Sequence, residues 1–171
     1  MGKICIFTGH RDLPRDTGPL RAALLRQITA LSAGGFTDFL SGGAMGFDLL
    51  AAETVLELRP VLPRVRLLMI LPCEGQDRAY PPGEKARYRS VLDQADLVRY
   101  TAHAYYNGCM LARDRVLAQA ADFCLCYLTR STGGTAYTVR QAALRDVPIL
   151  NLAEECPAER NRHDPTKRIS F

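Results

Sequence analysis

A glycine-rich turn between two apolar segments is the feature that most constrains the fold of this chain. Residues 41–46 (SGGAMG) follow the short apolar segment Phe39-Leu40, and an amphipathic pattern begins at Phe47. This order is typical of a strand, a tight turn and a helix. Glycine lets the backbone approach a ligand closely, and the free amides of a helix N-terminus suit a phosphate. The turn therefore predicts a site for an anionic ligand, and a nucleotide is the first candidate.

Two further junctions of this kind occur in the chain. The apolar run Lys3–Phe7 leads into residues 8–11 (TGHR), and the run Phe123–Leu128 leads into residues 131–135 (STGGT); a helical pattern follows each. Parallel strands bring their carboxyl ends to one edge of a sheet, where ligands bind in a crevice. Each glycine could serve only a tight turn, but three such junctions in one small chain favour a binding site.

Strand and helix patterns alternate along the rest of the chain. The remaining predicted strands are Arg66–Leu71, Leu97–Tyr100 and Val147–Leu150, and the remaining helices run from about Glu84 to Ala95 and from about Cys109 to Ala120. This alternation is the signature of βαβ crossovers. We therefore predict a single α/β Rossmann-like domain over residues 1–153, with a mostly parallel sheet and helices on both faces. A polar, irregular tail is predicted over residues 154–171.

Composition fits this prediction and narrows the classes of function. The chain has 171 residues, 47% of them hydrophobic and 23% charged, which suits one domain with a sizeable core. The net charge of +4 favours an anionic ligand without requiring a nucleic acid. No segment reaches the roughly 18 apolar residues that a membrane span needs. The N-terminus has no signal-peptide pattern, so we expect a cytoplasmic protein with no membrane partner.

The cysteines and histidines give no sign of a metal site. The six cysteines form no CxxC pair and no zinc-type spacing, and three of them (Cys5, Cys124 and Cys126) lie in apolar runs. Reduced, structural cysteines are therefore expected. Of the histidines, only His10 lies at a candidate site. We predict no metal and no required cofactor.

Several short motifs occur in a characteristic order over roughly residues 3–151: TGHR (8–11), SGGAMGFDLLAAE (41–53), Leu71-Pro72 with Gly75-Gln76, Ala95-Asp96, and STGGTA (131–136). This ordered set resembles the TGHR-bearing members of the YpsA-like family, within the SLOG superfamily of DprA/SMF and LOG proteins. The resemblance implies a Rossmann-like domain that binds nucleotide-derived ligands, with ADP-ribose or NAD-like molecules as the favoured class. Several SLOG proteins sense such molecules as signals.

Departures from relatives within the superfamily rank the alternatives. DprA-type turns carry a basic residue where this chain has Met45, which argues against single-stranded nucleic acid as the main ligand. LOG-type phosphoribohydrolases carry a Gly-Thr-x-x-Glu pattern, whereas Thr138 stands here in place of the glutamate. Nucleotide sensing or binding is therefore the leading hypothesis. Hydrolysis of a nucleotide N-glycosidic bond is second, and DprA-like nucleic-acid binding is third.

In the predicted helix after Cys109, Arg113 matches the family pattern, whereas Asp114 replaces the usual asparagine. Arg113 is thus a candidate ligand contact. The rest of this helix departs from the family pattern, since Gln119 stands where an acid is common.

Asp48 is the one candidate catalytic residue, and its role is open. In the first turn of a helix it could simply favour the dipole, or it could accept hydrogen bonds from ribose hydroxyls. Glu53, about a turn and a half further on, is expected to point elsewhere or to brace a neighbour, although either acid could replace the missing glutamate. We expect Arg11 to grip a phosphate; the alternative is that His10 and Arg11 are a solvated pair.

Four other residues are weaker candidates. Tyr105 and Tyr106 could stack on a base, or could simply pack within their loop. Gln76 and Arg78 could reach the rim of the site.

The predicted ligand-binding residues are Thr8, Gly9, His10, Arg11, Ser41, Gly42, Gly43, Ala44, Met45, Gly46, Asp48, Arg113, Ser131, Thr132, Gly133, Gly134 and Thr135. The expected partner is a small-molecule nucleotide ligand rather than nucleic acid. Homo-oligomerisation stays open.

Overall fold

Strands and helices alternate along residues 2–157, the part of the chain that the computed structural model describes. The strands are β1 (Lys3–Gly9), β2 (Phe36–Ser41), β3 (Arg66–Leu71), β4 (Leu97–Tyr100), β5 (Phe123–Tyr127) and β6 (Ile149–Asn151). The α-helices are α1 (Gly18–Ala33), α2 (Phe47–Leu58), α3 (Pro82–Gln94), α4 (Cys109–Ala120) and α5 (Gly134–Ala143). A short 3₁₀ helix (Gln76–Ala79) precedes α3.

The strands form one sheet in the order β4-β3-β2-β1-β5-β6, and every pairing is parallel. The chain moves outward from β1 to β4 and then returns to the other side of β1 as β5. The strand order therefore reverses between β1 and β5, where Gly9 pairs with Tyr127. Ligands in open α/β sheets bind outside the carboxyl ends of the strands at such a reversal. The predicted Rossmann-like α/β fold is confirmed.

Two hydrophobic layers cover the two faces of the sheet. On one face, α1, α2 and α3 pack against side chains such as Phe7 and Phe39, whose rings stack with centroids 5.9 Å apart. On the other face, α4 and α5 pack against Ile6, Leu40 and Cys124. Successive residues of a strand point to opposite faces, so the unbroken apolar run of β1 serves both layers.

Some element ends differ from the sequence prediction. The sequence pattern predicts the start of helix α5 at about Ala136, whereas the helix begins at Gly134 because Gly133 takes the N-cap position. The last strand begins at Ile149 rather than Val147, since Val147 N bonds Ala142 O at 3.1 Å and closes the preceding helix. The helix α3 begins at Pro82, a residue that the first turn of a helix tolerates.

Residues 154–157 form the end of a turn after β6, in which Cys156 N bonds Leu152 O at 2.9 Å. The remainder of the predicted tail lies outside the described residues. Five cysteines are buried, Cys156 is half-buried, and all six are free thiols. No helix within residues 2–157 combines the length and the apolar character that a membrane crossing requires.

Candidate ligand-binding cleft

A cleft of about 300 Å³ opens where β1 and β5 end, at the reversal of the strand order. Its walls come from the segment after β1, the segment after β5, the start of α2 and one face of α4. It is lined by Thr8, Gly9, His10, Arg11, Ala44, Asp48, Gln76, Met110, Arg113, Asp114, Leu117, Arg130, Thr132, Gly133, Gly134 and Thr135.

All three glycine junctions of the sequence contribute to this cleft, but unequally. The first and third line it over most of their length, whereas the middle one contributes only Ala44 and then Asp48. The predicted residues that do not line the cleft are Ser41, Gly42, Gly43, Met45, Gly46 and Ser131. Most of the middle turn therefore lies behind the surface of the site.

Hydrogen bonds within the protein explain why the middle turn is set back. Ser41 Oγ donates to Asp48 O at 3.0 Å and accepts from Gly43 N at 3.2 Å. Met45 packs against the hydrophobic layer beneath α2. These contacts fix the start of α2 and leave Gly43 N engaged within the protein.

The carbonyl groups of the same turn are also bonded internally. Gly42 O accepts from Arg113 and, at 3.1 Å, from Gln76 Nε2. Gly43 O accepts from the Tyr80 hydroxyl at 3.0 Å. The turn thus holds side chains from α4 and from the segment after β3, and two of these, Arg113 and Gln76, line the cleft.

Gly46 docks the start of α2 against the segment after β1. Its φ is +82°, and a Cβ built there would lie 2.5 Å from Arg11 O. Phe47 N bonds His10 O at 3.2 Å across the same contact. Only glycine combines this backbone angle with so close an approach.

Asp48 is a buried acid at the floor of the cleft. It is 5% exposed, and its carboxyl Oδ1 accepts a hydrogen bond from Gly9 N at 3.1 Å. Burial raises the pKa of Asp48 to about 7 against the opposing charge of Arg113, with a further rise from Asp114. The amides of Gly9 and Ala44 lower this pKa. Near neutral pH, the carboxyl is therefore poised to gain or lose a proton.

A second buried acid, Asp114, lies in the same cleft beside Arg113. Arg113 Nε donates to Asp114 Oδ1 at 2.7 Å, and burial raises the pKa of Asp114 despite this pairing. Thr138, at the position of the LOG-type glutamate, donates its hydroxyl to Gly134 O at 2.9 Å, and its proximity lowers the pKa of Asp114. The carboxyl group of Asp114 in α4 therefore lies near Thr138 of α5, the position at which LOG-type proteins carry a glutamate.

The N-terminus of α5 faces the cleft. Gly133 has a φ of +92°, and a Cβ on it would meet no atom within 4 Å, so the backbone there borders open space. Tyr137 N bonds Gly133 O at 3.0 Å, whereas the amides of Gly134 and Thr135 have no acceptor within residues 2–157. Free amides at the positive end of a helix dipole form a site for an anion.

Two arginines and a histidine add polar groups to the cleft. Arg11 and Arg130 are exposed lining residues, and Arg130 pairs with Asp12 at 3.3 Å. His10 is 5% exposed, and its Nε2 has no hydrogen-bond partner within the described residues. Burial, followed by the charge of Arg130, lowers the pKa of His10, so the ring is neutral at pH 7.

Sequence reasoning missed four residues that line the cleft: Met110, Leu117, Arg130 and Asp114, the last of which was noted only as a departure from the family pattern. The first two lie three or four residues from Arg113 along α4, so helical spacing would have placed them on the same face once Arg113 was chosen. Arg130 follows β5 just before the third glycine junction, and a cation in that position was the available signal.

Glu53 lies outside the cleft, as expected from its place on the helix. Its carboxylate pairs with Arg87 of α3, with contacts of 2.8 and 2.7 Å. The residue therefore ties α2 to α3 and does not replace the missing glutamate of α5.

A second cleft of about 550 Å³ adjoins the first and shares Gln76 and Met110 with it. Arg78 and Tyr105, both weaker candidates from the sequence, line this second cleft. Tyr106 is exposed and lines neither. Of the two sequence candidates for base stacking, Tyr105 thus lines one of these two clefts and Tyr106 lines neither.

Comparison with known families gives the same assignment as the motifs. The YpsA family model, described as the YspA SLOG family, matches residues 4–146. The chain belongs to this family. The match includes all three glycine junctions and α4, and so every segment that lines the cleft. The predicted resemblance is confirmed.

Relatives with similar sequences cover most of the chain. A UPF0398 protein of Bacillus pumilus is 27% identical over 151 residues, which cover 85% of this chain and 81% of that protein. A UPF0398 protein of Oceanobacillus iheyensis is 26% identical over 166 residues, covering 90% of each chain.

Solved structures with similar folds include two DNA processing proteins. DNA processing protein A from Helicobacter pylori, described for its single-stranded DNA binding mode, superposes with a TM-score of 0.61 at 22% identity, covering 92% of this chain and 74% of that one. DprA from Streptococcus pneumoniae gives a TM-score of 0.58 at 15% identity, covering 86% of this chain and 49% of that one. These likenesses support the fold of the YspA SLOG chain.

Proposed function

We propose that the cleft between β1 and β5 binds a small nucleotide-derived molecule, with ADP-ribose and NAD-like compounds as the favoured class. The observation that carries this proposal is the α5 N-terminus, whose Gly134 and Thr135 amides have no acceptor in the described part of the chain and belong to residues that line the cleft at the reversal of the strand order. Membership of the YspA SLOG family supports the ligand class, and the resemblance also supports a sensing role.

The phosphate end of the ligand is assigned to α5. The amides of Gly134 and Thr135 supply hydrogen bonds, and the dipole of the helix supplies a positive field. Arg11 and Arg130 line the same cleft and supply the charge that a phosphate or pyrophosphate requires.

The ribose is assigned to the buried polar groups at the floor of the cleft. Asp48 and the unpartnered His10 Nε2 both belong to side chains that line it. Ribose hydroxyls both donate and accept, so they can satisfy an acid and a neutral imidazole that the protein itself leaves incompletely bonded.

Hydrolysis of a nucleotide N-glycosidic bond is the second candidate, because one observation favours it. Asp48 has a pKa of about 7 and shares the cleft with a second buried acid, Asp114. An acid with a pKa near the working pH is suited to proton transfer, and glycosidic cleavage commonly uses a pair of carboxyl groups.

Binding is tested by thermal shift and titration calorimetry with ADP-ribose, NAD, AMP and a single-stranded DNA oligonucleotide. A ligand that binds only the folded state raises stability by about 2.7 kcal/mol at a hundredfold excess over its Kd, so a clear rise in Tm is expected for the nucleotides. The absence of both shift and heat at millimolar nucleotide would refute the proposal. Binding of the oligonucleotide alone would favour a DprA-like role.

Charge variants locate the bound phosphate. Arg11→Ala combined with Arg130→Ala is expected to weaken nucleotide binding by tenfold or more, since each charged hydrogen bond contributes about 1.5–3 kcal/mol. Arg64→Ala combined with Arg145→Ala is the matched control, because both arginines are exposed and precede β3 and β6 at the amino ends of the strands. Equal losses in both proteins would mean that only net charge matters.

Chromatography separates binding from hydrolysis. Wild-type protein incubated with AMP or NAD is expected to release no free base. Release of adenine or nicotinamide that stops in Asp48→Asn, with binding retained, would establish the hydrolase instead.

A further inference from the structure

The second cleft has the character of a site for a flat, largely apolar group. Its volume is about 550 Å³, and its lining is mostly apolar. Three small residues, Gly75, Ala79 and Ala104, leave space between its walls, and Met110 adds a polarisable thioether. Small-molecule sites typically have this size range and this predominance of apolar and aromatic lining.

The second cleft adjoins the first, because Gln76 and Met110 line both. A ligand that occupies both clefts would pass beside these two side chains. Gln76 is held at this junction because its Nε2 donates to Gly42 O at 3.1 Å. The Gln76 side chain is therefore held in place between the two clefts by the turn after β2, which also holds Arg113 in the first cleft.

Tyr105 supplies the aromatic surface of the second cleft. It lines the cleft and is 69% exposed, which is unusual for so large a side chain and leaves its ring available for stacking. The base of a nucleotide has the matching chemistry, because it presents a flat π-face to Tyr105. Its ribose phosphate would connect it to the first cleft.

We propose that the second cleft is the base subsite of the nucleotide, with the base stacked on Tyr105. This inference rests on the proposed function, since it requires a sugar phosphate in the first cleft. It makes the ligand a two-part molecule, whose anionic part is recognised at α5 and whose base is recognised between Tyr105 and Met110.

The test compares AMP with ribose 5-phosphate, which lacks the base, in titration calorimetry. Wild-type protein is expected to bind AMP more tightly. Tyr105→Ala is expected to weaken AMP binding about tenfold, in keeping with losses of a base–aromatic stack on truncation, and to leave ribose 5-phosphate binding unchanged. Tyr105→Phe retains the ring and is expected to retain the affinity.

Tyr106→Ala is the matched control, because the neighbouring tyrosine is also exposed but lines neither cleft. Fluorescence of 1,N6-etheno-AMP gives a direct readout: quenching on binding is expected in wild type and in Tyr106→Ala, and its loss in Tyr105→Ala.

The outcomes separate this inference from the proposed function. If ribose 5-phosphate binds as tightly as AMP and Tyr105→Ala changes neither, the base subsite is overturned while the phosphate site stands. If neither compound nor ADP-ribose binds, both proposals fall together. Equal weakening in Tyr105→Ala and Tyr106→Ala would also overturn the subsite, because it would show a general effect of the loop.

Discussion

Replacing Asp48 by asparagine tests whether the acid at the floor of the cleft is neutral in the folded protein. Burial raises the pKa of Asp48 to about 7 from an ordinary value of 3.8. Asparagine has nearly the same shape and can still accept the hydrogen bond that Gly9 N donates at 3.1 Å. It carries no charge at any pH, so the substitution removes the titration and keeps the packing.

The size and sign of the effect follow from the two pKa values. Between about pH 4 and pH 7 the folded protein keeps a proton that the unfolded chain releases, so the free energy of unfolding falls as pH rises. Each pKa unit corresponds to about 1.36 kcal/mol, which makes the full penalty on the wild type about 4 kcal/mol above pH 7. Roughly 3 kcal/mol of it develops between pH 5 and pH 8.

Urea unfolding followed by circular dichroism at pH 5, 6, 7 and 8 measures this difference. Relative to wild type, Asp48→Asn is expected to gain about 3 kcal/mol of stability over that range. Asp93→Asn, the same change at an exposed position of α3, is expected to track the wild type. A stability difference between Asp48→Asn and wild type that stays constant with pH would show that Asp48 is ionised throughout, and would refute the buried neutral acid.

Two further predictions concern the loop pair at the cleft and the start of α2. Asp12→Asn releases Arg130 from its ion pair. The substitution is expected to raise affinity for ADP-ribose by at most about fivefold, because exposed ion pairs contribute about 0.2–1 kcal/mol. Calorimetry at low and high salt checks this, and weaker binding by Asp12→Asn than by wild type at low salt would contradict it. Gly46→Ala is expected to lower the free energy of unfolding by at least about 1–3 kcal/mol through backbone strain, whereas Gly83→Ala, whose Cβ would meet no atom within 4 Å, is expected to be neutral or slightly stabilising. Equal stability of the two alanine variants in urea would refute the argued contact with Arg11 O.

The sequence was sufficient to predict the elements of the fold because each depends on local patterns. The strand β1 has an unbroken apolar run, as expected of a strand covered on both faces. Glycine-rich junctions after β1 and β5 marked the strand ends that face the ligand. The order of the strands was not predictable in this way, because apolar periodicity shows that a strand is buried and does not name its neighbours.

The sequence could not show which groups of a glycine turn face the cleft, because distant contacts decide it. Gly42 O accepts from Arg113, 71 residues away, and Gly43 O accepts from Tyr80, 37 residues away. Local reasoning assigned the backbone of this turn to a phosphate. It had no means of knowing that its carbonyl groups anchor side chains from other elements.

The protonation of Asp48 has the same origin. As a first-turn acid it was open to a dipole role or a ribose role, and neither depends on burial. Asp48 is covered by the end of β1, where Gly9 N donates a hydrogen bond to it from 39 residues away, and by Arg113 and Asp114 of α4. Its pKa is set by these two distant segments, so no pattern around position 48 alone could have predicted it.

The glycine turn after β2 and the glycine turn before α5 therefore have different roles, and this difference affects how the site can be tested. In the turn after β2, the carbonyl oxygens accept hydrogen bonds from Arg113, Gln76 and Tyr80. A substitution there therefore disturbs the walls of the cleft before it disturbs a ligand. Among residues 2–157, no group accepts from the amides of Gly134 and Thr135 at the start of α5, and the Gly133 backbone borders open space. A substitution in the turn before α5 acts on a bound anion without first removing a hydrogen bond within the protein. Loss of ligand binding in a variant of the turn before α5 would thus identify a ligand contact. Loss of ligand binding in a variant of the turn after β2 would not distinguish a lost ligand contact from a disturbed fold.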